Sequence, residues 1–271
     1  VEYAEQNPEQ EVIIIIPARF QSTRLPGKML LPIADKPLIL WTLESAKQAK
    51  NISRVIVATD DRKIFKIVES NGGEAMMTSK NHQSGTDRLA EVAETLAPNS
   101  IIVNVQGDEP LIPAGTIETA VSAFIDDQSI GIATTCEKIE NYHDVLNPDI
   151  VKVVRDTKEN ALYFSRSPIP FPRDAVKKYG SLENALKTEP ELLANFCKHT
   201  GLYVYRRELL LNYKQIPQTN LELLESLEQL RALENRIKIK AVEVSESSIG
   251  VDTIEDLEKV NQIILEKKRL I

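Results

Sequence analysis

Arg19, Arg24 and Lys28 place three cations within ten residues, in the stretch Pro17-Ala-Arg-Phe-Gln-Ser-Thr-Arg-Leu-Pro-Gly-Lys28. Ser22 and Thr23 add hydroxyl donors, and Gly27 lets main-chain N–H groups come close to a ligand. A polyphosphate would satisfy all of these groups. The plain alternative is a solvated basic loop. Its position favours the ligand: it directly follows the β-branched run Val12–Ile16, and open α/β sheets bind ligands beyond the carboxyl ends of such strands. The spacing fits neither the P-loop pattern nor the Gly-x-Gly-x-x-Gly dinucleotide turn, which disfavours ordinary NTPases and NAD enzymes.

Two carboxylates occupy similar places. Asp108, in Gln106-Gly107-Asp108-Glu109-Pro110, follows the apolar run Ile101–Val105. Asp252, in Gly250-Val251-Asp252-Thr253, lies between an expected strand and an expected helix. Magnesium takes oxygen ligands, commonly one or two carboxylates plus substrate phosphates, so both are candidate metal ligands. Their plain readings are a turn for Asp108 and a helix-dipole residue for Asp252. Ser84-Gly85-Thr86-Asp87-Arg88 opens an expected helix whose free N–H groups could read a base or a phosphate, although a helix cap explains Thr86 equally well. Thr59-Asp60-Asp61 ends another strand and should border the same cleft. Arg166 and His199 are candidates for a carboxylated substrate, against the plain readings of a surface cation and a satisfied histidine.

The elements that must hold these residues follow from hydrophobic period. Val12–Ile16, Arg54–Ala58 and Ile101–Val105 predict buried strands separated by helical segments, the rhythm of a doubly wound α/β sheet. Pro37 is expected in the first turn of a helix carrying Ile39, Leu43 and Ala46. Gly72-Gly73 should end the helix carrying Ile64, Ile67 and Val68, and another helix is expected over Thr86–Leu96. Beyond Ile130 the pattern predicts strands at Ile130–Cys136, Val151–Asp156, Ala161–Phe164, Thr200–Tyr205 and Ile237–Val244, hence a mixed sheet with antiparallel members. Leu221, Leu224, Leu227 and Leu230 predict the buried stripe of one helix with Glu225, Glu228 and Gln229 on other faces. Thr253 should cap the last helix, with Asp256 at its third position.

Composition narrows the class. The 271 residues carry no linker, low-complexity segment or repeat, so a single domain with a smaller lobe is expected. A net charge of −7 and a pI near 5.3 argue against a nucleic-acid-coating protein. Cys136 and Cys197 lie far apart without a Cys-x-x-Cys pair, which suits a reducing cytosol. The polar, acidic stretch Val1–Glu11 does not read as a leader, and no apolar run is long enough for a bilayer span.

Six motifs occur in order along nearly the whole chain: Pro17-Ala-Arg through Leu25-Pro-Gly-Lys28, His82-Gln-Ser-Gly-Thr-Asp-Arg88, Asn104-Val-Gln-Gly-Asp-Glu-Pro110, Ala161-Leu-Tyr-Phe-Ser-Arg166, Leu227-Glu-Gln-Leu-Arg231 and Gly250-Val-Asp-Thr253. Together they resemble the 3-deoxy-manno-octulosonate (Kdo) cytidylyltransferases, also called CMP-Kdo synthetases. The resemblance implies the nucleotide-diphospho-sugar transferase fold, with a nucleotide half over about 12–130, a sugar-acid and dimerisation part over about 131–250 and a final helix over about 253–268. It also implies a cytosolic, Mg²⁺-dependent homodimer, with two metal ions, that joins CMP from CTP to Kdo for lipopolysaccharide synthesis. Residue by residue, it implies that Arg19, Ser22, Arg24, Lys28, Ser84, Gly85, Thr86 and Arg88 serve the nucleotide. Asp108 and Asp252 would bind metal, and Gln106, Arg166, His199, Tyr203, Glu228 and Gln229 would face the sugar acid. Arg19, Lys28, Asp108 and Asp252 would carry the chemistry. Two departures stand out, a longer segment over Ala175–Ala194 and an amino-terminal extension; the first could alter the sugar site's rim or the dimer contact. A cytidylyltransferase for a sialic acid or an amino analogue of Kdo remains a close alternative. A non-catalytic nucleotide-binding regulator would leave Asp108 and Asp252 without a purpose.

Overall fold

The structure is a computed structural model that describes residues 10–21, 25–82, 84–246 and 248–269. Ser22, Thr23, Arg24 and Gln83, named above, lie outside the described residues. The first half runs β1 (Val12–Ala18), a two-strand ribbon of β2 (Pro32–Ile33) and β3 (Lys36–Pro37), α1 (Leu38–Ala46), β4 (Arg54–Thr59), α2 (Arg62–Ser70), β5 (Glu74–Met77), α3 (Gly85–Ala93), β6 (Ile101–Asn104) and α4 (Ala114–Asp126). The second half runs β7 (Ile132–Lys138), α5 (Tyr142–Leu146), β8 (Lys152–Arg155), β9 (Ala161–Ser165), α6 (Arg173–Tyr179), α7 (Leu182–Thr188), β10 (Cys197–Arg206), α8 (Arg207–Tyr213), α9 (Asn220–Glu225), α10 (Gln229–Glu234), β11 (Ile239–Glu243) and α11 (Ile254–Arg269).

The main sheet has the order β11-β7-β10-β6-β1-β4-β5, and β8 branches from β10 to pair with β9. β1 is wholly buried and parallel to both neighbours, β4 and β6. That is why it reads as an unbroken isoleucine run: side chains pointing to either face meet helices, and each buried isoleucine contributes about 1.5–3 kcal/mol. Ile14 and Ile16 join the core beneath α1, α4 and α11, while Ile13 and Ile15 join the opposite core with Leu89 of α3. β10 runs antiparallel to β6, β7 and β8, which supplies the mixed character expected from the sequence. The two Val/Ile-poor helices α6 and α7 account for most of the longer 175–194 segment; Leu186 packs there with Phe196, Ile139 and Val145 in a small satellite core.

Helix starts follow local hydrogen bonding. Asp61 accepts from the N–H groups of Lys63 and Ile64 at 2.7 and 3.2 Å, and Ser84 accepts from Asp87 N at 3.1 Å. Thr253 and Asp256 form the expected reciprocal box: Asp256 N donates to Thr253 Oγ1 at 3.1 Å and Thr253 N to Asp256 Oδ2 at 2.9 Å. Two expectations need correction. Pro37 lies just before α1, paired with Pro32 in the β2–β3 ribbon. The leucine stripe is not one helix: Ser226 adopts φ 52 and ψ 48 between α9 and α10. Leu227 and Leu230 are buried, but Leu224 is 82% exposed and Leu221 also faces solvent. The left-handed turn redirects the chain, so leucines on its two sides cannot share a face.

Candidate active site

Because β4, β1 and β6 are adjacent and parallel, their carboxyl ends deliver Asp60, the stretches 19–21 and 25–28 and the 105–110 loop to one edge. Gly107 lies so close to the end of β1 and to Met29 that it has no room for a side chain; a Cβ there would stand 2.7 Å from Pro17 O and 3.1 Å from Met29 Cε. Gly27, at φ +68, turns the chain into the short 3-10 turn Lys28–Leu30. The loop after β11 reaches the same edge, where Val251 N donates to Asp108 O at 2.8 Å.

Lys28 lies at the centre of this junction. Its Nζ donates to Asp108 Oδ2 at 2.5 Å, Asp252 Oδ1 at 3.0 Å and Val251 O at 2.9 Å. The lysine is 7% exposed. Burial alone would lower its pKa, but the two carboxylates, Asp108 foremost, outweigh that and hold it above the ordinary lysine value. The lysine expected on phosphates and the carboxylates expected on metal therefore meet one another. Two carboxylates and a main-chain carbonyl, all hard oxygen donors, surround a point that holds positive charge. That donor set fits Mg²⁺, which takes few protein ligands and completes its shell from phosphate and water. Among the described residues no group of three His, Cys, Asp or Glu gathers that could hold a metal. Next to Asp108, burial and then the charges of Asp108 and Glu137 push the Glu109 carboxyl up to about 8.

Arg19 emerges half-buried directly after β1. Arg88 is fully buried, donating through Nη1 to Thr78 Oγ1 and through Nη2 to Asp60 Oδ2 at 3.2 Å. Asp60 Oδ1 in turn accepts from Phe20 N at 3.2 Å. Expected at the nucleotide, Arg88 instead underpins the cationic loop through Asp60. Burial lowers its pKa and the Asp60 charge opposes that shift.

A cavity of about 130 Å³ opens between the start of α3, the β6 loop, β10 and α10. Gly85, Thr86, Gln106, Tyr203, Glu228 and Gln229 line it, together with Asn104, Ile132, Tyr205 and Tyr213. Thr86 Oγ1 donates to Glu228 Oε2 at 2.9 Å. Burial raises the Glu228 pKa, opposed by the Thr86 bond. Ser84 lies in the adjoining polar cleft rather than in this cavity. His199 and Arg166 do not line the cavity. His199 packs 5.2 Å from Tyr203 and 5.2 Å from Phe164 between ring centroids, with Nε2 2.9 Å from Thr134 Oγ1. Arg166 spends its guanidinium on main-chain carbonyls: Glu225 O at 2.7 Å, Pro148 O at 3.0 Å and Ser226 O at 3.4 Å.

Sequence reasoning missed the parts that hold Arg166. Glu225 accepts from Arg166 N at 2.9 Å and from Ser165 Oγ at 2.6 Å. Fully buried Lys152 donates to the carbonyls of Asn147, Ile150 and Arg166 at 2.9, 2.6 and 2.6 Å. A lysine inside the apolar stretch Val151–Val154 was a signal for such a cage, since a buried ammonium must be partnered.

Burial lowers the His199 pKa to about 4. The folded protein then holds this imidazole neutral while an unfolded chain protonates it near 6.5, so stability should fall as pH drops from about 6.5 to 4. The expected contribution is on the order of 1–3 kcal/mol. Denaturant midpoints of the parent and His199→Asn across that range should differ in slope; parallel curves would place a charged imidazole in the fold.

A family model described as cytidylyltransferase matches residues 13–239. The 3-deoxy-manno-octulosonate cytidylyltransferase of Trichlorobacter lovleyi is 50% identical over 252 residues, covering 93% of this chain and 98% of its own. That of Escherichia coli is 43% identical over 257 residues, covering 95% and 97%. A solved CMP:2-keto-3-deoxy-manno-octonic acid synthetase, complexed with CTP, superposes with a TM-score of 0.85 at 43% identity over 95% of this chain and 100% of that one. A thymidylyltransferase structure from Bacillus anthracis, 14% identical with a TM-score of 0.62 over 93% of this chain and 94% of that one, shares the fold alone. With a family model matching most of the chain and sequence identity at this level over almost the full length, the chain belongs to the 3-deoxy-manno-octulosonate cytidylyltransferase family.

Proposed function

We propose that this chain transfers CMP from CTP to the anomeric hydroxyl of Kdo, giving CMP-Kdo and pyrophosphate for lipopolysaccharide synthesis. The observation that carries the reading is the meeting of Lys28 and Asp252 with Asp108, on the loop whose Gln106 lines a tyrosine-lined cavity, within a fold shared with a synthetase solved with CTP. The anomeric oxygen attacks the α-phosphorus, the bond from that phosphorus to the bridging oxygen breaks, pyrophosphate leaves and the hydroxyl proton passes to solvent. No covalent enzyme intermediate is required, because such transfers rest on positioning and charge stabilisation.

In this reading Arg19 and Lys28 hold the triphosphate, and Asp108 and Asp252 hold Mg²⁺. When bound, the metal supplies Lewis acidity, lowering the pKa of the attacking hydroxyl and neutralising phosphate charge. Gln106, Tyr203, Glu228 and Gln229 orient the sugar acid, while Ser84, Gly85 and Thr86 offer the N-terminal end of α3 to the nucleotide. The active form is a cytosolic homodimer. Pyrophosphate release from CTP and Mg²⁺ across Kdo, its 8-amino analogue and a sialic acid tests the reading. Preference for Kdo supports it; preference for another acid moves the chain to the sister activity.

Arg166 is assigned to the sugar carboxylate, because its planar fork can grip two oxygens at once and a lysine cannot. Its present carbonyl partners show that the guanidinium is held in place. Arg166→Lys should raise the Kdo requirement roughly tenfold, as expected for a lost charge-assisted bond of about 1.5 kcal/mol. CTP affinity, measured by calorimetry without sugar, should stay at the parent value. Weakened CTP binding with unchanged Kdo dependence would move Arg166 to the nucleotide side.

A further inference from the structure

Glu228 reaches the cavity from the corner between α9 and α10, a corner only a few residues long that turns through the left-handed Ser226. The angle of such a corner, and so where Glu228 points, is set by the brace that ties its two helices together. The brace is the buried pair Glu222–Arg231, one residue from each of the two helices. Arg231 Nε donates to Glu222 Oε2 at 2.8 Å and Nη2 to Glu222 Oε1 at 2.5 Å, a fork that fixes both distance and angle. Arg231 Nη1 also donates to Ile216 O at 3.2 Å, and Glu222 Oε2 accepts from Thr219 N at 3.3 Å. Both residues are more than nine-tenths buried.

From this brace the contacts lead to Glu228. The Arg231 guanidinium lies 5.4 Å from the Tyr213 ring centroid, and the Tyr213 hydroxyl donates to Glu228 O at 2.9 Å. Glu228 then meets Thr86, so the start of α10 is tied to the start of α3. Neither Glu222 nor Arg231 lines the cavity; both face the adjoining polar cleft. Both charges of the pair reach Glu228: Arg231 opposes the rise that burial imposes on its carboxyl, and Glu222 adds to it.

We infer that the Glu222–Arg231 pair is a positioning element for sugar-acid binding, setting Glu228 and Gln229 against the cavity across the Ser226 corner. This rests on the proposed CMP transfer to Kdo. In this reading the pair acts by holding the corner, through Tyr213 and Glu228 rather than by a substrate contact of its own, so loosening it should displace the sugar side more than the nucleotide side.

The test uses Arg231→Lys, which keeps the charge and loses the fork, and Glu222→Gln, which keeps the shape and loses the charge. In each, the Kdo KM should rise roughly 10- to 100-fold, the scale of a misplacement near 1 Å, with kcat changed far less and CTP affinity by calorimetry within twofold. The double variant should be no worse than the worse single one, because the two residues work as one unit. A parental Kdo KM in a folded variant would overturn the inference, as would equal damage to CTP binding or fully additive KM effects. Loss of fold in both single variants would make the pair a folding element and overturn it too. If the parent turns over no Kdo, the functional reading fails on its own, before any variant is compared.

Discussion

Asp108→Asn and Asp252→Asn should each abolish turnover and leave the fold nearly intact. Asparagine keeps the shape of the side chain and removes the charge that a cation needs. In each variant Lys28 keeps the other carboxylate and the Val251 carbonyl, so its ammonium is not stranded in the interior. The loop junction also keeps its main-chain bond from Val251 N to Asp108 O. Loss of a partner that merely orients a metal ligand costs roughly 10–100-fold, and loss of a ligand itself should cost more. Pyrophosphate release measured against Mg²⁺ concentration is the readout, with circular dichroism to check the fold. A variant that keeps a near-parental rate at limiting Mg²⁺ would remove its aspartate from the metal site.

Lys28→Ala and Arg19→Ala should act on the nucleotide side. Each removes charge-assisted contacts worth about 1.5–3 kcal/mol, which is roughly 10- to 150-fold in the CTP requirement or in kcat. The two differ in their structural cost. Lys28 is buried between Asp108 and Asp252, so its removal leaves two carboxylates facing one another and should also lower stability. Arg19 is half-exposed at the strand end, and its loss should leave the melting temperature close to that of the parent. Initial rates over a grid of CTP and Kdo concentrations separate the two substrates. An effect confined to the KM for the sugar acid would contradict the placement of the cationic loop.

What the sequence disclosed, and what it concealed, follows from the range of the forces involved. β1, β4 and β6 were legible because strands buried on both faces must be apolar at every position. The loops after β1 and β6 were legible for the complementary reason: charged residues that directly follow such strands stand out. α4 is marked in the sequence only by the helical period of Ile117, Ala120, Val121 and Phe124, with no side-chain cap to announce its start. The break in the leucine stripe was hidden because Ser226, neither glycine nor proline, takes the left-handed turn. The Lys28 cluster joins positions separated by 80 and 224 residues, and no local rule specifies such a pairing. Motifs identified the residues, and only the sheet order put them in contact. Arg88 shows the reverse case: its place in a motif suggested a ligand contact, whereas its complete burial gives it Asp60 and Thr78 as partners.

The most direct test of CMP transfer is a single turnover with the protein in excess over CTP, run with and without Kdo in the presence of Mg²⁺. Pyrophosphate and CMP-Kdo are expected to appear together, one for one, and only when Kdo is present. Pyrophosphate released without Kdo, or no CMP-Kdo when both substrates are supplied, would contradict direct transfer at the Lys28, Asp108 and Asp252 cluster.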